Sequence, residues 1–300
     1  MDQTYRFGKK EDQLLRLCKA HVPNMDKIHA VITEGADVNA VDEDGWRLLG
    51  AIFSHNSAAT GEHFPAIADV FIRAGFDAKR FGLSVMGSLV HSTHDRYIFD
   101  TAMILLKAGA HGDKGKWESL LECIGTEESY QRCCDYDHAC ENIYYAWYEI
   151  VRRASEGKSF DDIGVWQDCV GLKVDGIVAD ANGVPVVTKG KKEKILFRDQ
   201  FMLLCGERAV MIEACPNIYL CRRPGATDLA NPVDLSEQLP FAAGAIIERI
   251  DFEHRGVREG KTYYRQPNIH VVFNNGRTIR FSTNFGEVPE KETSKFFEVL

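Results

Sequence analysis

The densest set of metal-ligand side chains is Cys133-Cys134-Asp135-Tyr136-Asp137-His138-Ala139-Cys140. Cys134, His138 and Cys140 are the types that a soft divalent ion such as zinc takes, through thiolate sulfur and imidazole nitrogen. A closed tetrahedral site needs a second Cys/His pair at a matching spacing, and the sequence offers none. The run therefore reads as reduced, partly buried thiols in a helical insertion, with no metal and no cofactor expected. His91-Ser92-Thr93-His94-Asp95 sets two imidazoles three residues apart beside an acid, so that on a helix they would be neighbours. Polar residues commonly finish the last turn of a helix, and that is the preferred reading. Thr188-Lys189-Gly190-Lys191-Lys192-Glu193-Lys194 is basic, and its simplest place is a solvated hairpin tip.

Acid–base groups come next. Asp251 and Glu253 alternate with apolar residues, and Glu248, His254, His270, Cys205, Cys215 and Cys221 complete the candidates of the second half. Two carboxylates on one strand face can exchange protons with a substrate, but the polar face of any half-solvated sheet has the same pattern. There is no phosphate loop, nucleophile elbow, dinucleotide fingerprint or HExxH motif. No nucleophile–base pair emerges, and the chain is not expected to be an enzyme.

The elements that would position these groups fall into two kinds. Val31-Ile32-Thr33-Glu34-Gly35-Ala36-Asp37, Phe71-Ile72-Arg73-Ala74-Gly75-Phe76-Asp77 and Leu105-Leu106-Lys107-Ala108-Gly109-Ala110-His111 align with one another. Each ends an apolar run at a glycine, the residue that caps a helix in the left-handed conformation at least cost. A second set keeps register with the first: Leu14, Leu15 and Cys18; Leu48, Leu49, Ile52 and Phe53; Val85, Met86, Leu89 and Val90; Leu120, Leu121 and Ile124. That spacing makes one face of a helix. Each unit is then a helix, a turn and a second helix stopped by glycine, and such pairs bury their faces only by stacking. Glu118–Asp161 reads as a degenerate further unit, with Ile143, Trp147, Ile150 and Val151 on one face.

The glycines are 40 and 34 residues apart, close to the ankyrin period of about 33. Gly35-Ala36-Asp37-Val38-Asn39-Ala40-Val41-Asp42-Glu43-Asp44-Gly45 resembles the helix end and hairpin finger of ankyrin repeats. The family's Thr-Pro-Leu-His is replaced by Arg47-Leu48-Leu49-Gly50, and the later fingers shrink to 76–81 and 110–115. The resemblance implies an ankyrin-like domain of three to four repeats over residues 10–161. It also implies a protein partner held along the fingers and inner helices, by Val41, Asp42, Glu43, Trp46, Lys79 and Arg80. Proteins of inhibitor, immunity or effector type look like this.

Residues 162–300 change to short alternating runs, among them 170–174, 209–214, 218–221, 246–252 and 262–264. In Ile269–Phe273, Asn274-Asn275-Gly276 and Arg277–Phe281, an Asn-Gly pair between β-rich runs predicts a hairpin. The expectation is a mostly antiparallel domain of five to seven strands, a small barrel or half-open sheet, closed by a helix over Val288–Leu300. The overall class is α + β in two domains. The alternative function is a small-molecule-binding or hydrolytic β domain whose substrate the repeats recruit.

Composition bounds the partners. The net charge is −8, with 18 Lys and Arg against 24 Asp and Glu in residues 1–160 and 18 against 20 in the remainder. Such a chain is not expected to bind nucleic acid, whose backbone asks for a basic surface. Its acidic first half would favour basic or neutral proteins. The absence of a signal-peptide core or a membrane-length apolar run predicts a cytoplasmic protein without membrane contact. Nine cysteines without a framework spacing fit reduced thiols there.

Overall fold

The computed structural model describes residues 6–54, 61–90, 96–125, 144–180, 194–197, 200–213, 217–225, 231–259, 262–282 and 295–299. Among these, the helices come first: α1 (Lys9–Cys18), α2 (Met25–Thr33), α3 (Leu48–Phe53), α4 (Phe64–Arg73), α5 (Ala78–Leu89), α6 (Arg96–Lys107), α7 (Lys114–Gly125) and α8 (Tyr144–Ser155). The strands follow, from β1 (Gly164–Val165) onward. The chain thus has the mixed α + β class, with helices N-terminal and antiparallel strands C-terminal. It divides into two compact units, Met1–Tyr130 with Ile150–Lys158, and Gln131–Glu149 with Ser159–Leu300.

In the first unit α1, α3, α5 and α7 are successive neighbours in one layer, and α4 neighbours α6 in another. Their apolar faces supply the core, with Leu14, Ile28, Leu48, Leu49, Phe53, Phe64, Phe71, Val85, Met86 and Leu105 buried. The rings of Phe53 and Phe64 meet at 4.6 Å. Helix ends recur in one form. Gly75, at φ 93°, donates to the Ile72 carbonyl (3.0 Å), and Phe76 donates to Phe71 (2.9 Å). The same pair of bonds closes α2 at Gly35, α6 at Gly109 and α8 at Gly157. This is the Schellman arrangement, which satisfies carbonyls the helix leaves open and needs the left-handed residue that glycine supplies. Helix starts are capped by side chains: Asn24 accepts from Lys27 N–H, Asp77 from Arg80 N–H and Asp113 from Lys116 N–H, each at 3.0 Å. The Lys116 amide bond, with the nearby ammonium, holds the Asp113 carboxyl below its ordinary range.

Because Asp77 already caps α5, only two residues separate Gly75 from that helix. Lys79 and Arg80, expected near a finger, instead occupy the first turn of α5. The first connection is long enough for a hairpin. Asp42 N–H donates to Trp46 O (2.9 Å), Leu48 N–H to Ala40 O (3.0 Å), and Val41 bridges Arg47.

The second unit is built from two sheets. One has the order β1-β6-β5-β4-β2-β7, with β2 (Gly176–Asp180), β4 (Gln200–Cys205), β5 (Arg208–Glu213), β6 (Asn217–Arg222) and β7 (Pro232–Asp234). The other runs β3-β11-β10-β9-β8, with β3 (Lys194–Phe197), β8 (Ile247–Glu259), β9 (Thr262–Phe273), β10 (Thr278–Ser282) and β11 (Lys295–Val299). Every pairing is antiparallel. The sheets share one core, in which Phe201 of β4 meets Phe281 of β10 edge-on at 5.0 Å. Ile177, Leu203, Val210, Ile269, Val271 and Phe273 fill it. The Asn-Gly hairpin forms as expected: Gly276 has φ 77°, and Val272 pairs with Thr278. Its tip is tied down, since Asn275 Nδ2 donates to Phe241 O (2.6 Å) and Asn274 Oδ1 accepts from Ile246 N–H (3.1 Å).

Four expectations for this unit are corrected. The described residues hold eleven strands rather than five to seven. They form two sheets around a filled core, not one small barrel or half-open sheet. The chain end expected as a helix contains strand β11, which pairs Phe297 with Phe281 of β10 and with Ile195 of β3. Lys-Phe-Phe-Glu-Val is aromatic and β-branched, and as a strand it pairs with two neighbours at once. Residues 170–174 are not a regular strand either. Gly171, at φ 86°, turns the chain after a short 3-10 helix, Trp166–Cys169. The segment still pairs with 244–247, through Gly171 N–H to Ile247 O (2.8 Å) and Val174 N–H to Ala245 O (2.9 Å).

Candidate functional site

The hairpin between α2 and α3 is organised by one carboxylate. Asp42 Oδ1 accepts from Trp46 N–H (2.7 Å) and Asp44 N–H (3.0 Å), an arrangement that mimics a backbone turn. Gly45 completes the reversal at φ 86°. Asp42 is only 7% exposed, and Oδ2 has no hydrogen-bond partner among the described residues. Proposed from sequence as a partner contact, it shapes the hairpin from within. Val41 is 43% exposed on the same hairpin. Glu43 is exposed and pairs with Arg6 at 3.2 Å.

Trp46 emerges from this turn half-buried and lines a cleft of about 390 Å³ with Gly45, Arg47, Gly50, Ser54, Ser84, Gly87 and Ser88. α3 contributes Gly50 and its C-cap residue Ser54, and α5 contributes Ser84, Gly87 and Ser88 at i, i+3 and i+4. Those three lie on one helix face, so the floor is made of small residues and hydroxyls. A Cβ added at Gly87 would meet nothing within 4 Å, which places open space directly over that backbone.

Arg47 is the cation of the lining, and Arg80 stands outside the lining on the same aromatic ring. The Arg47 guanidinium stands 4.1 Å from the Phe81 ring centroid and that of Arg80 stands 4.7 Å from it. A ring with cations over it attracts them through its quadrupole and holds them in place. Arg47 Nε is buried without a hydrogen-bond partner among the described residues, and a donor left unsatisfied costs about 1–3 kcal/mol. Lys79, exposed on the same first turn of α5, lies outside the cleft lining.

Of the residues singled out from sequence, Trp46 lines the cleft, while Arg80 lies outside the lining and shares the Phe81 ring with Arg47. Arg47, Gly50, Ser54, Ser84, Gly87 and Ser88 were missed. The helix faces were legible, but the face that stays open is chosen by α3 packing on α5, which a single sequence does not display.

The other described carboxylate and histidine candidates lie on β8 and β9. Glu248 and Asp251 are exposed on β8, and Asp251 pairs with Arg249 at 2.8 Å. His270 is half-buried on β9, opposite Asp251 in the strand register. Burial pushes the thiols of Cys205 up to about 12 and of Cys169 well above its ordinary value, which leaves them protonated and unreactive. Cys134, His138 and Cys140, with 91–95 and 188–193, lie outside the described residues. Among the described residues no group of three or more His, Cys, Asp or Glu is placed to hold a metal. Nor is any described helix long and apolar enough to cross a membrane. No family model, curated protein or solved structure matches the chain.

Proposed function

We propose that the helical unit is an ankyrin-type repeat module that binds a protein partner, as in inhibitor, immunity or effector-type proteins. The partner sits in the cleft over α3 and α5, with Trp46 as its anchor. The observation that carries the reading is that cleft. A half-buried indole borders a groove of glycine and serine, on the neighbouring inner-layer helices α3 and α5. A large aromatic beside a shallow small-residue floor suits an inserted chain segment, because aromatic anchors in desolvated pockets dominate interface energies.

The test separates cleft from surface. The intact chain, Trp46→Ala and Gly87→Leu are immobilised and used for affinity capture from extract of the source cells. Trp46→Ala removes the anchor, and Gly87→Leu fills the groove from a position where a Cβ touches nothing. A protein held by the intact chain should be lost with both variants. For Trp46→Ala the expected loss is about 2 kcal/mol of binding free energy or more. A partner retained equally by all three would remove the cleft from the function. Asp42 is unsuited to this test, because its substitution would collapse the turn that presents Trp46.

A further inference from the structure

We infer that the segment this cleft accepts is acidic, its Asp or Glu carboxylates gripped by Arg47 and Arg80; this rests on the cleft being the partner site. Four other arginines of the helical unit pair with carboxylates, and Arg16 bonds the Asp12 carbonyl. Arg6 pairs with Glu43, Arg73 with Asp69, Arg96 with Asp100 and Arg152 with Glu156. Over residues 1–160 carboxylates outnumber Lys and Arg by 24 to 18, so acidic partners are in surplus. Arg47 and Arg80 nonetheless pair with none of them. Among the described residues their guanidiniums make the contact with the Phe81 ring, and no carboxylate or hydrogen-bond acceptor meets either one.

That stacking leaves the edge of the exposed Arg80 plane, where N–H donors lie, available to an anion, with the half-buried Arg47 beside it. Guanidinium matches a carboxylate with two parallel charge-assisted bonds, and holding it on an aromatic face reduces the ordering needed to form them. Arg80, exposed at the start of α5, and the half-buried Arg47 are the groups such a ligand would meet, while Arg47 Nε itself lies beneath the surface. Below it, Ser84 and Ser88 line the groove with hydroxyls that bond to none of the described residues, and Gly50 and Gly87 add no bulk. An extended acidic peptide fits this combination: carboxylates to the arginines, backbone over the glycines, polar groups to the serines. A basic segment would set like charges against the two guanidiniums. A nucleic-acid backbone carries a charge at every nucleotide, whereas the cleft lining supplies one cation, with Arg80 next to it, enough for one or two carboxylates of a peptide.

The experiment uses the full chain, immobilised, against random short peptides displayed on phage, followed by fluorescence anisotropy with the enriched sequences. Enrichment of Asp and Glu is expected, with binding weakened about tenfold by Arg80→Gln and further by raised NaCl. Arg80 is exposed at the start of α5, so its substitution tests recognition without threatening the core. Arg47→Gln should act in the same direction, with circular dichroism checking its fold. Arg80→Lys should recover only part of the loss, since an ammonium cannot make the paired bonds. Enriched peptides that lack acids but are lost with Trp46→Ala would overturn the acidic preference and leave the cleft standing. Peptides indifferent to Trp46, Arg47 and Arg80 would overturn both. Displacement of the acidic peptides by a single-stranded oligonucleotide through Arg47 and Arg80 would overturn the assignment in favour of phosphate recognition.

Discussion

Asn39 ties two helix pairs together. Its side-chain amide donates to Gly75 O (3.0 Å), and its Oδ1 accepts from Asp77 N–H (2.8 Å). It therefore presents to the next pair the donor and acceptor that a neighbouring backbone would. The corresponding amide one pair earlier, Asp37 N–H, is bonded by Glu11 Oε1 at 2.8 Å. Asn39→Ala removes both bonds from a half-buried site that water partly reaches. The expected cost is about 1–2 kcal/mol, read as a lower urea midpoint at unchanged slope. Asn39→Asp should fare no better, because it must point an oxygen at the Gly75 carbonyl. Equal midpoints for Asn39→Ala and the parent would remove the link from the account. None of this is legible in the sequence. Asn39 belongs to a run that resembles a finger, but its partners lie 36 and 38 residues ahead and are backbone atoms, whose identity leaves no trace in side chains. The glycine and apolar rows that make the pairs are local signals, and those were legible.

α5 carries two glycines with opposite reasons for being there. A Cβ at Gly82 would lie 2.6 Å from Ala110 Cβ and 3.2 Å from its Cα, so the helix and the connection after α6 would have to separate. Gly82→Ala should destabilise by about 1–3 kcal/mol. At Gly87 the added methyl meets nothing, and alanine should instead gain up to about 1 kcal/mol of helix propensity. Thermal melts of the two variants should therefore move in opposite directions from the parent. A destabilised Gly87→Ala would mean that the groove over α5 is not open. If it is stabilised and also binds its partner more weakly, the glycine is kept for the cleft rather than the helix. The β elements teach a related lesson about reading. The hairpin of β9 and β10 was legible because its turn chemistry is contained in three adjacent residues. β11 was not, because its strand character comes from pairing with β10 and β3, the latter about a hundred residues earlier in the chain.

Across the whole molecule, the change of periodicity near residue 160 announced helices first and strands after, and the charge split followed it. What neither could announce is where thiols end up. Cys18 is buried in the helical unit, and Cys169, Cys205 and Cys221 are buried in the β unit, while Cys123 is exposed. At pH 8, iodoacetamide should therefore label Cys123 promptly and reach these buried thiols only after denaturant is added, as peptide mapping would show. Early labelling of Cys18 would place that helix face in solvent. Burial pushes Cys18 up to about 12, against about 8.5 for an unfolded thiol. Below the lower value both states keep the proton, and its full contribution to stability is present. As pH rises past about 8.5 the unfolded chain loses protons that the folded chain retains, so stability falls until the folded thiol itself titrates near 12. The slope is at most about 1.4 kcal/mol per pH unit for each thiol. Lys19 acts the other way, since desolvation lowers its pKa and the folded state releases that proton early. Comparing Cys18→Ala with the parent cancels Lys19 and the remaining thiols. Urea midpoints measured from pH 7 to 10 should decline less steeply in the variant, and parallel declines would show that the Cys18 thiol already ionises in the folded chain.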